Sequence, residues 1–175
     1  NEYYNLKKNL PLILSQDYPN FEVVVVNDSS IDDTKYLLKE YQEFFKNLNV
    51  INLEKNYNFF SGKKFALAVG IKSAKNEYLV LTDADCYPIS NNYLRLISRN
   101  FNNKNRIILG YGAYEEKKGI LNKLIRYDSL NVAIQYLSFA ISGMPYMGVG
   151  RNLAYTKSLF FNNKGFSSHY HILSG

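Results

Sequence analysis

The chain has 175 residues, with 46% apolar and 21% charged side chains and a formal net charge of +6. That is enough for a real hydrophobic core, and the balance is that of an ordinary globular protein, which excludes disordered and collagen-like chains. The excess of cations suits an anionic ligand such as a nucleotide, a phosphorylated sugar or an anionic membrane surface, but the lysines are scattered and cluster only as pairs such as Lys63-Lys64, so nothing reads as a nucleic-acid recognition helix.

In chain order, apolar residues at Leu6, Leu10, Ile13 and Leu14 give a helical spacing over Tyr3 to Ser15, which "QDYPN" breaks. "FEVVVVN", Phe21 to Asn27, is a β-branched run suited to a strand buried on both faces. "DSSIDDT" offers several helix N-caps, and Tyr36, Leu37, Tyr41 and Phe44 continue as a helix to about Lys46. "NVINLE", Asn49 to Glu54, is a second strand. "KNYNFFSG" is a loop, and "KKFALAVGIKSAK" is a helix. "EYLVLTDADCYP" holds a third strand. "NNYLRLISRNF" is a helix, and "RIILGYG", Arg106 to Gly112, is a fourth strand. Strands alternating with helices predict an α/β domain: a Rossmann-like, mostly parallel sheet with helices on both faces.

Beyond Gly112 the alternation stops. From Leu130 to Gly150 there is no charged residue, and the length approaches the ~20 residues of a membrane span. Asn131, Gln135, Gly143 and Pro145 argue instead for a buried helix followed by an irregular loop within the folded domain. The lone Cys86 excludes an intrachain disulfide and reads as a small packing residue. No linker or repeat divides the chain, so residues 1–175 are expected to form a single domain. It opens on a helix and stops at "HILSG", and a fragment is expected.

The chemistry is expected where the third strand ends, in Asp83 and Asp85. Ligands of open parallel sheets bind beyond the carboxyl ends of the strands. Asn27 and Asp28 close the valine strand in the same way. Neighbouring carboxylates repel, and a divalent cation relieves that cost. Mg²⁺ and Mn²⁺ take hard oxygen ligands and fill their shells with substrate phosphates. The small Ala84 between the two acids lets the backbone approach a ligand. The plain alternative is one helix cap and one solvated acid.

These residues resemble family-2 glycosyltransferases of the GT-A fold. The resemblance rests on four stretches in order: Asn27-Asp28-Ser29-Ser30-Ile31-Asp32-Asp33-Thr34, Gly62-Lys63, Asp83-Ala84-Asp85 and Gly148-Val149-Gly150-Arg151-Asn152. Asn27 departs from the family's usual acid. The resemblance implies an inverting transfer of sugar from a nucleoside-diphosphate sugar, usually a UDP-sugar, to a saccharide or lipid-linked acceptor, with Mn²⁺ or Mg²⁺ as cofactor. Glu2, Asp28, Lys63 and Asp83 would hold the donor nucleotide. Asp85, with Asp83, would bind the metal, and Gly148, Gly150 and Asn152 would shape the sugar and acceptor pocket before a helix, "NLAYTKSLFF". The catalytic base is expected in an acidic motif beyond Gly175, since no Asp or Glu follows Asp128. The family's first strand is expected before Asn1. Work on cell-envelope polysaccharide at the cytoplasmic face of a membrane is implied, with attachment through segments outside this chain.

Each residue has a plainer reading. Asp28 could cap a helix, Lys63 could be a surface lysine, and "GVGRN" could be a tight turn. His169 and His171 could share a strand face, although a histidine pair in such a loop is more often solvated or packed. Three other functions compete, one of them a sugar-nucleotide pyrophosphorylase, which would need a Gly-rich, Arg-containing loop after a first strand that the sequence does not show. A phosphatase of the haloacid dehalogenase type also uses D-x-D after a strand, but Tyr87 stands where it needs Thr or Val, and "NDSSIDDT" goes unexplained. A non-catalytic nucleotide-binding module is the third, and the intact D-x-D speaks against it.

Overall fold

The computed structural model describes residues 1–54 and 62–167. The expected loop before Gly62 and the pair His169 and His171 lie outside them. The described elements are α1 (Tyr3–Leu14), β1 (Val23–Asp28), α2 (Thr34–Phe44), β2 (Leu48–Leu53), α3 (Lys63–Ser73), β3 (Tyr78–Leu81), α4 (Tyr93–Ser98), β4 (Ile107–Leu109), α5 (Ile120–Ile141), a 3-10 turn (Gly150–Asn152), β5 (Leu153–Thr156) and α6 (Lys157–Asn162).

β1 and β2 pair in parallel, from Val23 opposite Leu48 to Asp28 opposite Leu53. Side chains alternate across a strand, and the valines use both faces. Val23 and Val25 pack with Leu6, Leu10, Leu37 and Leu38 of α1 and α2. Val24 packs with Ile71 of α3. Gly70 lets α3 close on β1, because a Cβ there would stand 3.1 Å from Val26 Cγ2. Helices therefore cover both faces, as the unbroken valine run predicts.

Pro11 sits inside α1 and has no N–H for the Lys7 carbonyl one turn earlier. Tyr41 replaces it, donating from its hydroxyl to that carbonyl at 3.1 Å. α1 is also tied to the segment after β3. Asn9 Nδ2 donates to the Ala84 carbonyl at 3.3 Å, and the buried Gln16 amide donates to the Ser90 carbonyl at 3.0 Å. This fixes the position of the D-x-D segment relative to the first core.

The second sheet corrects two expectations. Its order is β3-β5-β4, and β5 runs antiparallel to both neighbours. Among the described residues only β1 and β2 are hydrogen-bonded in parallel, so the mostly parallel sheet holds there for one pair. The stretch "NLAYTKSLFF" is not one helix: Leu153–Thr156 is a central strand, and only Lys157–Asn162 is helical. Ala154 and Thr156 are buried there. The free edges of β3 and β4 take up this segment, and such pairing outweighs local preference. Ile71, Ala74 and Leu79 form a second core with Tyr155 and Phe160.

α5 corrects the buried helix. It starts at Ile120, well before the uncharged stretch, and only Ala133 and Tyr136 are buried. Ile120 is 78% exposed and Leu121 70%. The irregular loop after it is as expected. Among the described residues, no helix is long and apolar enough to cross a membrane.

Candidate functional site

The end of β1 is built from a tight turn. Ser29 has φ +55, a left-handed conformation that is uncommon for a residue with a Cβ, and its hydroxyl donates to the Leu53 carbonyl at 3.0 Å. The turn leaves Asp28 exposed at the strand end. Asn27 is buried and donates from Nδ2 to Asn52 Oδ1 at 2.9 Å, while its own Oδ1 accepts the Ser30 N–H at 3.3 Å. A charged residue would be penalised in this buried pair, which accounts for Asn in place of an acid.

The N-terminal residues clasp the same loop. Asn1 Oδ1 accepts the Ile31 N–H at 2.8 Å, and the Glu2 N–H donates to Thr34 Oγ1 at 3.3 Å. Glu2 itself is exposed, its carboxylate accepting from Asn5 Nδ2 at 2.7 Å. Glu2 and Asp28 thus belong to one loop region.

Lys63 opens α3 directly after Gly62, whose φ of +122 favours glycine. Its ammonium meets Asp83 Oδ1 at 2.8 Å. Two motif residues, twenty positions apart, are thereby brought together. The D-x-D forms a turn rather than a strand, with the Cys86 N–H donating to the Asp83 carbonyl at 3.0 Å. Ala84 packs toward the α1–α2 core, so its small size serves packing. Burial first, then the neighbouring Asp85, pushes the Cys86 thiol pKa up, which keeps it protonated and poorly nucleophilic.

Asp85 is exposed, and its Oδ1 accepts from the Cys86 thiol at 3.5 Å. Among the described residues, no three Asp, Glu, His or Cys side chains gather as a complete metal cage. Two hard carboxylates fit an open Mg²⁺ or Mn²⁺ site, where the metal takes one or two carboxylates and fills its shell with phosphates and water.

The "GVGRN" segment lies beside this turn. Leu81 pairs with Leu153, and Leu109 pairs with Leu153 on the other side. Arg151 sits in the 3-10 turn just before β5, where its Nη2 donates to Ser129 Oγ at 3.5 Å and its guanidinium lies 4.6 Å over the Tyr114 ring. The sequence presents Arg151 only as part of the motif; the fold sets it between Ser129 of α5, Tyr114 of the connector after β4 and the Asp83 turn. Burial works against its charge, but Tyr114, with smaller contributions from Cys86 and Asp83, holds its pKa above the ordinary value.

Two glycines make room for this segment. A Cβ on Gly110 would stand 2.4 Å from the Asn152 side chain, and one on Gly112 would stand 2.8 Å from Arg151 Cγ. The alternating glycines of "LGYGAY" are the sequence signal for this fit. Asn152 is engaged as a brace, accepting from the Tyr93 hydroxyl at 3.0 Å and donating to the Tyr111 carbonyl at 3.1 Å. Gly148 is packed, a Cβ there meeting Leu109 Cδ2 at 2.9 Å, whereas Gly150 faces open space.

The family model for glycosyl transferase family 2 matches residues 1–168. The chain belongs to glycosyl transferase family 2. Among curated relatives, poly-β-1,6-N-acetyl-D-glucosamine synthase of Staphylococcus epidermidis is 35% identical over 85 residues, covering 49% of this chain and 19% of that protein. Dolichyl-phosphate β-glucosyltransferase ALG5D of Trichomonas vaginalis is 28% identical over 159 residues, 81% of this chain and 46% of that protein. Among solved structures, mannosyltransferase PcManGT of Pyrobaculum calidifontis, in complex with GDP-Man and Mn²⁺, superposes with a TM-score of 0.67 at 21% identity, covering 94% of this chain and 44% of that one. TarS of S. aureus superposes at 0.63 with 23% identity, covering 94% of this chain and 46% of that one. These likenesses show a GT-A fold. The chain spans less than half the length of each of these proteins. Family membership leaves the phosphatase reading of the D-x-D unfavoured.

Proposed function

We propose that this family-2 chain binds a nucleoside-diphosphate sugar at the carboxyl ends of β1 and β3 and serves its transfer, with inversion, to a saccharide or lipid-linked acceptor. The observation that carries the reading is the Lys63–Asp83 ion pair at 2.8 Å, which joins two family motifs at one strand end. In this reading Asp28 meets the nucleoside base, with Glu2 beside it. Lys63 answers the negative charge of the diphosphate, and Asp83 turns from Lys63 toward the ribose or the metal shell. Asp85, with Asp83, holds Mn²⁺ or Mg²⁺, which when bound supplies positive charge to the leaving diphosphate. Gly148 and Gly150 shape the sugar pocket, and Asn152 holds its wall in place.

Support for the donor class comes from similar proteins: TarS has been solved with UDP, and PcManGT with GDP-Man and Mn²⁺. The names of relatives, including a putative teichuronic acid glycosyltransferase of Bacillus subtilis, support work on cell-envelope polysaccharide; in this reading it takes place at the cytoplasmic face of a membrane. A thermal-shift panel of UDP, GDP and their sugar conjugates, with and without Mn²⁺, tests the proposal. A nucleoside diphosphate should raise the melting temperature more with Mn²⁺ than without it. No response to any nucleotide would refute the reading.

A further inference from the structure

The D-x-D turn is held from a direction that the four motifs do not show. The β3–β5 ladder ends at Leu81 opposite Leu153, just before Thr82 and Asp83. From there on the chain leans on α1. Asn9 Nδ2 donates to the carbonyl of Ala84, the middle residue of the D-x-D, at 3.3 Å. Further along, the Leu94 N–H donates to Gln16 Oε1 at 3.3 Å, and the Asp17 N–H donates to the Asn91 carbonyl at 2.9 Å. Gln16 and Asp17 thus anchor the far end of the loop, and Asn9 meets the motif itself.

Asn9 is an unexpected residue for its place. It lies on the buried face of α1 with Leu6, Leu10 and Leu14, and it is 3% exposed. Its Nδ2 has the Ala84 carbonyl, but its Oδ1 is buried with no hydrogen-bond partner among the described residues. A buried polar atom without a partner costs stability. Leucine has the same branched heavy-atom skeleton and would continue the apolar face without that cost. Such breaks in local packing logic concentrate at functional sites. Here the bond that Asn9 makes reaches the centre of a motif 75 positions away.

The bond matters unequally for the two carboxylates. The Lys63 ammonium holds Asp83 Oδ1 at 2.8 Å, so Asp83 has its own restraint. Asp85 accepts from the Cys86 thiol at 3.5 Å, and a thiol is a weak donor. The aim of Asp85 therefore follows the backbone of the turn. That backbone is tied by the Cys86 N–H on the Asp83 carbonyl at 3.0 Å, and by Asn9 on the Ala84 carbonyl directly before Asp85. Metal sites are sensitive to the groups that orient their ligands.

We propose that Asn9 is a positioning residue for the metal site: its amide fixes the Ala84 carbonyl, and through it the aim of the Asp85 carboxylate toward the divalent cation. The proposal rests on the donor reading, in which Asp85 binds Mn²⁺ or Mg²⁺. It separates the two halves of that site. Loosening the turn weakens the hold on the metal. The nucleoside side, at Asp28 and Glu2, stands on another loop and is left in place.

Asn9→Ala and Asn9→Leu test it on this chain. Both remove the donor; one empties its space and the other fills it. Calorimetry with UDP gives the affinity with and without Mn²⁺, and the ratio is the gain from the metal. In both variants that gain should fall roughly three- to tenfold, the range of one net hydrogen bond, while the metal-free affinity stays within about twofold. The electron paramagnetic resonance spectrum of Mn²⁺ in the UDP complex should differ from the parent's, because the carboxylate meets the ion at another angle. Leu14→Val, a core deletion on the same helix at 4% exposure, is the control: it should lower the melting temperature and leave both readouts unchanged. A parental gain in both variants, a parental spectrum, an equal loss of metal-free affinity, or the same changes in Leu14→Val would overturn the proposal. So would loss of the fold in both Asn9 variants, which would make Asn9 a core residue. An absence of Mn²⁺-enhanced UDP binding from the parent would refute the donor reading instead.

Discussion

Asp32 holds the starts of two helices at once. One carboxylate oxygen accepts the Thr34 N–H at 3.2 Å in α2, and the other accepts the Tyr3 N–H at 3.2 Å in α1. The side-chain hydrogen bond from Thr34 is the largest influence on its carboxyl; burial opposes it, the amides of Tyr3 and Thr34 add to it, and the pKa lies below the ordinary 3.8. With the folded pKa depressed, the unfolded chain binds the proton more readily. The stabilisation is therefore complete above the unfolded value near 3.8 and is lost as pH falls through the folded value. Asp32→Asn should lower the melting temperature near neutrality, and the gap to the parent should close as pH drops below about 3.8. Melting curves across that range check this, and a gap independent of pH would contradict it. Residues of this kind were only partly legible. The acid-rich loop was visible in the sequence, but the partners of its acids were not, because Tyr3 and Thr34 meet only once α1 has packed on α2.

At the scale of elements, β1 to β4 were readable because β-branched or aliphatic runs stand between breakers. β5 was not. Its buried positions, Ala154 and Thr156, are small or polar, so the alternation left no hydrophobic signal. Its strand conformation comes from two neighbours, Val80 on one side of Ala154 and Ile108 on the other. α5 misled in the opposite sense. A helix apolar around its circumference usually reads as buried, yet here only Ala133 and Tyr136 are buried. A pair of substitutions separates these cases. Ala154→Leu, at 1% exposure, should overpack the central strand and cost about 1–3 kcal/mol. Ile120→Ser, at 78% exposure, should change stability by no more than about 0.5 kcal/mol. Urea midpoints measure both, and the reverse ranking would contradict the sheet order described here.

For the molecule as a whole, the fold assembles motifs that lie far apart in sequence. α3 brings Lys63 to Asp83, and the 3-10 turn before β5 brings Arg151 within the electrostatic reach of Asp83. The D-x-D and the Gly-Lys pair were legible because their residue types announce their chemistry. The place of Arg151 was not, because it depends on β5 lying between β3 and β4. The central claim is that this strand-end cluster binds a nucleoside diphosphate together with a divalent cation. Calorimetric titration of UDP into the parent, Asp85→Ala and Asp28→Ala, each with and without Mn²⁺, tests it most directly. The account predicts that Asp85→Ala removes the Mn²⁺-dependent part of the affinity, while Asp28→Ala weakens binding under both conditions. Parental UDP binding by both variants in the presence of Mn²⁺ would contradict it.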